Sequence, residues 1–491
     1  MPAQITPAAG RAGSAHVTPR SIVLLMVPLM LVLFISNLDQ TIVATALPTI
    51  GRDLNDTGNS SWVVTAYLLT SAITTLIFGK LGDMYGRKKI FQFSIAVFLA
   101  GSVLAGLSGS MGLLIGFRAL QGIGGGGLNS LVQAIMGDLV PARQRSKYQA
   151  LTGMVATLAL IGGPLLGGAF SQDLSWRWIF YINLPIGVAA FAAVGAKLHL
   201  PRPTAPCGGI DYAGGLLAAV FTGAVMIFTT WGGNQYPWTS PAVLALITVS
   251  AVCLPAYLLV ERRASQPITP LRLFRSSVFN LASVQFFIAT LALFVALLYV
   301  PLFLQTVQHK SAFTAGLYVI PLLVGLVAAA IISGPIITKT GRYKVYPVIG
   351  AVLTGAAMYA LSRAGASTST LELIIPLAIA GVGIGFFVQV SLLAGQNAAE
   401  YKDLGAATGT LNFFKSIGGA LGAALFGAIL NASLGHGIPA TATAVHAFQT
   451  VFFWTVPFMA AALVAALAMK EKPLSEEMTQ VAAGEVAVPE Y

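Results

Sequence analysis

Apolar residues dominate almost the whole chain in long runs, each interrupted only by a short polar turn. About 20 such residues are what a helix needs to cross the hydrocarbon core of a bilayer. Fourteen runs of that kind are legible, at roughly 21–48, 60–80, 89–108, 112–137, 148–170, 178–198, 211–231, 241–261, 277–304, 313–337, 345–363, 371–395, 404–430 and 446–470. The turns between them leave no room for a soluble domain. The ends, 1–20 and 471–491, lack apolar periodicity and are expected to be disordered. The pattern therefore predicts an all-α polytopic membrane protein of fourteen transmembrane helices.

Composition agrees with the pattern. Of the 491 residues, 56% are hydrophobic and only 9% charged, where a soluble protein carries about a quarter charged. The formal charge of +11 raises the question of nucleic acid. The basic residues, however, sit in small loop clusters rather than in a stripe interleaved with aromatics, so no nucleic-acid partner is expected. Membrane orientation explains them, because cytoplasmic loops collect Lys and Arg. With the N-terminus in the cytoplasm, GRKK (86–89), ARQRSK (142–147), ERR (261–263) with Arg272 and Arg275, and TKTGRYK (338–344) all fall inside. The outer loops hold only Arg52, Arg177, Lys310 and Arg363, while Arg118 and Lys415 lie within helices. The first run is too long for a signal peptide and lacks its cleavage pattern. The expected location is thus the cell (inner) membrane, multi-pass, with both termini cytoplasmic.

A repeat organises the runs. GKLGDMYGRKK (79–89) follows the second run and GPIITKTGRYK (334–344) the tenth; Gly79/Gly86 match Gly334/Gly341, Arg87 matches Arg342, and Asp83 has become Thr338. The second span then corresponds to the tenth, an offset that two six-helix bundles separated by two inserted helices produce. The expected domains are 21–200, an inserted pair within 201–276, and 277–470. Parallel repeats of this kind build many transporters.

Candidate chemistry is sparse. Asp39, in ISNLDQTIV, is the one acid of 16 well inside a predicted span, about 27 Å along its helix at 1.5 Å per residue. Removal from water disfavours an ionised carboxyl, so a group placed there is poised to take up a proton from one side and release it to the other. The plainer alternative is a structural carboxylate paired with a neighbouring helix. Arg118, early in the fourth run, stays protonated and needs an anion, carbonyls or water nearby, unless it snorkels outward. The run GIGGGG (122–127) lies mid-span without a following Lys-Ser/Thr and so is no phosphate cradle; its glycines suit close helix packing. No Walker-type loop, no H-E-x-x-H and no paired Cys-x-x-Cys occurs, and the five histidines lie in loops, tails or span ends. Cys207 and Cys253 are expected to form no disulfide. Neither an enzyme, a metal site nor a cofactor is expected.

Several stretches, in order, resemble one family. GKLGDMYGRKK looks like the loop signature of the major facilitator superfamily. LDQTIVATALP (38–48), RALQGIGGGG (118–127), GMVATLALIGGPLLGG (153–168) and WRWIFYINLPIG (176–187) are similar to signatures of its fourteen-helix drug:proton antiporter branch. The resemblance implies proton coupling by Asp39 and Arg118. It implies a gating loop built from Gly79, Asp83, Gly86, Arg87 and Lys88, in which Asp83 engages the partner half in one conformation only. It also implies an antiporter helix carrying Gly153, Gly162, Gly163, Pro164, Gly167 and Gly168, a pivot or seal between the halves. Ordinary helix packing explains those glycines nearly as well. Polar and aromatic residues amid apolar ones, Trp62, Tyr67, Gln133, Gln285, Gln305, Phe386, Phe387, Gln389, Asn412 and Phe413, are candidates for a substrate cavity, where aromatic faces hold lipophilic cations. Lys415 and the lack of deep carboxylates in the second half disfavour divalent cations. The expected activity is proton-coupled export of small lipophilic or cationic compounds by alternating access, with protons, a small molecule and the lipid bilayer as partners. Export of a lipid or metabolite, or uptake by symport, are the alternatives.

Overall fold

The computed structural model describes residues 19–56, 59–60, 62–140, 142–198, 211–233, 235–434 and 441–471. Cys207, most of the expected disordered ends and part of the linker after 198 lie outside them. Among the described residues the chain is helical: α1 (Pro19–Asp53), α2 (Trp62–Tyr85), α3 (Arg87–Gly106), α4 (Met111–Leu139), α5 (Ala142–Asp173), α6 (Trp178–Tyr181), α7 (Asn183–Lys197), α8 (Tyr212–Trp231), α9 (Pro241–Arg263), α10 (Ser277–Thr306), α11 (Ala312–Leu317), α12 (Ile320–Thr340), α13 (Val345–Leu361), α14 (Thr370–Ala398), α15 (Leu404–Leu434) and α16 (Thr441–Ala468).

Twelve of the described helical segments are long and apolar enough to cross a membrane, with α6–α7 counting as one and α12 extending back to Thr314. Two further helices fall outside that group. The helix α4 has the length, 29 residues, but carries Arg118 and the glycine run; α13 is apolar but only 17 residues long. Boundaries follow local chemistry. Serines 110, 240, 276, 311 and 369 cap the starts of α4, α9, α10, α11 and α14, accepting a backbone N–H of the first turn. The helix α1 runs through Pro48 and Gly51 to Asp53, beyond the expected 48. At the two repeat loops, Gly86 (φ 93°) and Gly341 (φ 72°) take the positive φ that L side chains rarely adopt.

The helices gather in two groups with the same internal pairings. In the first, α1 packs on α5 and α7, α4 on α2 and α3, and α3 on α7. In the second, α10 packs on α15 and α16, α14 on α12 and α13, and α13 on α16. The groups meet through two equivalent crossings, α2 with α15 and α5 with α12. The pair α8–α9 lies to one side, with α8 resting on α2 and α15.

Candidate functional site

Asp39 and Arg118 are both fully buried and form an ion pair through Arg118 Nη1 and Asp39 Oδ2. A lone buried charge of either kind is strongly unfavourable, and pairing with further hydrogen bonds offsets this. Asp39 Oδ1 accepts from Gln121 Nε2 at 2.8 Å and from Asn183 Nδ2 at 3.0 Å. Both amides also donate to Ser102 Oγ, at 3.2 and 2.9 Å, whose hydroxyl donates to the Phe180 carbonyl. Arg118 Nη1 donates to Gln121 Oε1 at 2.7 Å and Nε to the Val63 carbonyl at 3.2 Å. The guanidinium lies 4.3 Å above the Tyr67 ring, a cation–π contact strengthened by desolvation. Among the described residues, Arg118 Nη2 and Asn183 Oδ1 are buried without partners.

The glycines explain how helices close around this cluster. A Cβ on Gly101 would lie 2.6 Å from the Gln121 nitrogen, and one on Gly122 2.4 Å from the Tyr67 carbonyl. Gly124 to Gly127 are equally tight against α2 and α3. Bare backbone on α4 thus admits α2 on one side and α3 on the other. On α5, Cβ atoms at Gly163 and Gly167 would strike Thr41 and Thr45 of α1, the helix that carries Asp39. Gly162 sits near Leu38, while Gly153 and Gly168 have open space; Pro164 lies among them in the helix. Gly162, Gly163 and Gly167 of α5 therefore face α1 within their own group.

Gly79 meets Gly405 backbone closely, where a Cβ would lie 2.5 Å from its carbonyl oxygen. Asp83 accepts from Arg87 at 2.8 Å and, across to the other group, from the Gly405 and Ala406 N–H groups at 3.1 and 2.9 Å. Its carboxylate thereby sits on the N-terminus of α15, where exposed N–H groups favour an anion. The Asp83–Arg87 ion pair is buried, with side chains 8% and 5% exposed, and Arg87 is shared with Asp138 of α4. Lys88 donates to the Gly195 carbonyl at 2.8 Å. Gln396 adds further links, donating to the Gln133 carbonyl and accepting from Gln149. These bonds between the groups all lie at the end of the bundle carrying the basic loops.

The cavity candidates do not converge on one space. Tyr67 belongs to the Asp39 cluster, and Trp62 stands edge-on to Trp231 of α8. Gln389 accepts from Ser333, Asn412 donates to the Thr408 carbonyl, and Phe386 packs on Tyr346. Gln305 is exposed and bonds its own helix. Phe387 is core, and Gln285 is buried with neither amide atom partnered among the described residues. Phe413 alone of them lines the cavity of about 820 Å³ between α2, α8, α9 and α15. Lys415 is exposed, seven residues past Thr408 and so on the face that α15 turns toward Gln396. Sequence reasoning missed Ser102, Gln121 and Asn183. Two of these are amides within apolar runs, the one signal that would have found them.

Comparison with known proteins places these features. The model of the Major Facilitator Superfamily matches residues 29–208 and again 207–423. An uncharacterized MFS-type transporter of Mycobacterium tuberculosis is 38% identical over 482 residues, 97% of this chain and 69% of that one. Multidrug transporter protein MdtP of Bacillus subtilis is 34% identical over 413 residues, 84% of this chain and 76% of that one. In fold, the chain is similar to the human organic anion transporter MFSD10 at a TM-score of 0.66 and 16% identity, covering 91% of this chain and 100% of that one. The chain, a multi-pass membrane protein, belongs to the Major Facilitator Superfamily of transporters.

Proposed function

We propose that this transporter is a proton-coupled exporter of small lipophilic or cationic compounds, working by alternating access. The carrying observation is the buried Asp39–Arg118 pair with its amide partners. Every hydrogen bond that Asp39 makes it accepts, so the arrangement is that of the ionised carboxylate. Protonation removes the anion facing Arg118 and needs a new acceptor; the unpartnered Asn183 Oδ1 supplies one if its amide turns over. The two protonation states thus demand different packing of α1 against α4 and α7, a differential that lets a proton bias a conformational equilibrium.

The bonds at the basic-loop end hold that end shut. The positive-inside rule makes it the cytoplasmic end, with both termini cytoplasmic and the state outward-facing. Adding α4 and α13 to the twelve apolar segments gives fourteen spans, organised as bundles 21–200 and 277–470 around the inserted pair. Asp39 takes up a proton from outside as substrate leaves, then releases it inward after the halves rock. The multidrug transporter name of the B. subtilis relative supports the export direction.

The test is proton release from acid-loaded inverted vesicles on adding lipophilic cations, for wild type and Asp39→Asn. Wild type should release protons and the variant should not. Coupled export persisting in Asp39→Asn sinks the mechanism. Accumulation of the compound in whole cells that requires both this chain and the pH gradient would favour symport instead.

A further inference from the structure

The cavity beside the inserted pair joins apolar walls to a cluster of arginines. Its walls include Phe221, Leu254, Leu258 and Phe414, and at one end Arg262, Arg272 and Arg275; among the described residues no acidic one lines it. The arginines are brought there by a deliberate fold of the linker. Glu261 accepts the Ile268 and Thr269 N–H groups, each at 3.2 Å, and Tyr257 bonds Thr269 Oγ1 at 2.7 Å. This turns the chain back along α9 and sets the turn Leu271–Arg275 beside the end of that helix. Arg272 pairs with Asp403. Arg262 and Arg275 are exposed and, among the described residues, pair with no carboxylate. Like charges gathered on an apolar cavity call for an anion that also has an apolar part.

The opening identifies the occupant's source. Leu254 and Leu258, which line the cavity, are 40% and 38% exposed on the outer face of α9, next to Val252 and Leu259 at 62% and 55%. That face is apolar and meets lipid, whereas the arginines sit at the end of the span, at headgroup level. Basic pockets between transmembrane helices are favourable places for acidic headgroups. We propose that the cavity binds one anionic phospholipid, its phosphate between Arg262 and Arg275 and an acyl chain against Phe221, Leu254 and Phe414. Leu76 of α2 and Thr410 and Phe413 of α15 complete the wall. These are the two helices that Asp83 joins, so the cavity borders the contact between the two groups.

Native mass spectrometry of the full chain in detergent, titrated with phosphatidylglycerol or phosphatidylcholine, tests this. One phosphatidylglycerol should be retained in preference to phosphatidylcholine. Arg262→Ala/Arg275→Ala should weaken that retention on the order of 30-fold. Leu258→Trp, which fills the cavity and leaves the charges, should weaken it as well, while Lys339→Ala/Arg342→Ala on another basic loop should not. Retention unchanged in the first two variants overturns the proposal, as does equal loss in the third, which would mean general surface attraction. Displacement by glycerol 3-phosphate at equal concentration would show a simple anion site and overturn the lipid assignment.

Discussion

Around Asp39 the decisive chemistry is donor count. Arg118, Gln121 and Asn183 all reach its two oxygens, and Gln121 also holds the guanidinium. A hydrogen bond to a charged group contributes about 1.5–3 kcal/mol, so Gln121→Ala and Asn183→Ala should each slow compound-driven proton release by roughly 10- to 100-fold. Each variant should remain folded, because the Arg118 pair survives; initial rates in inverted vesicles beside a detergent melting curve separate the two effects. Arg118→Ala differs in kind. It leaves Asp39 buried without its countercharge, at a cost of about 3–5 kcal/mol, and the same melting curve should show the loss. Asp39 and Arg118 were legible in the sequence because a charge in an apolar run has few explanations. Ser102, Gln121 and Asn183 were not, because their role comes from three helices converging, and a lone amide or hydroxyl in a helix satisfies itself equally well on its own backbone.

At the scale of elements, α4 owes its place to missing side chains. A Cβ on Gly126 would lie 2.2 Å from the Ser71 carbonyl oxygen and 2.9 Å from the Thr75 nitrogen, backbone that cannot move without shifting α2. Gly116, on the same helix, has nothing within 4 Å. Gly126→Val should therefore destabilise the protein by about 1–3 kcal/mol or more through overpacking, whereas Gly116→Ala should hold or slightly raise the melting temperature, since alanine is the better helix former. The same glycines dilute the apolar character of α4 and, with Arg118, keep it out of the hydropathic group although its 29 residues suffice in length. Helix existence was readable from apolar runs. Ends were less so: α1 continues past Pro48 and through Gly51 to Asp53, and the tenth run divides into α11 and α12 with Pro321 in the first turn of the latter. The cavity candidates were the least legible, since polar residues in apolar helices face partners that only tertiary structure supplies.

Across the whole molecule, the contact at the basic-loop end with a charge in it is the one made by Asp83. The repeat offers Asp83 in the first half and Thr338 in the second, and Thr338 bonds the Gly334 carbonyl of its own helix. Asp83 meanwhile bridges to the N-terminus of α15. Replacing Asp83 by Asn keeps an oxygen for one N–H but removes the charge that the helix end favours, worth about 0.3–1 kcal/mol at an exposed site and up to about 2 when partly buried. Arg87 is not orphaned, because Asp138 still faces it, so the variant should fold. Its equilibrium between shut and open arrangements at this end should shift toward open by up to roughly 30-fold, the factor that about 2 kcal/mol corresponds to. Spin labels at Tyr85 and Lys402, both exposed and at the ends of the segments that meet there, would report this as a longer-distance population in double electron–electron resonance. Thr338→Asp is the complementary variant, because it restores the acid to the second repeat. It should leave the wild-type distance distribution with its short population intact, since the latch at α15 is untouched. A distribution identical in wild type and Asp83→Asn would mean that Gly79 packing and the Gln396 bonds hold the end shut without the charge.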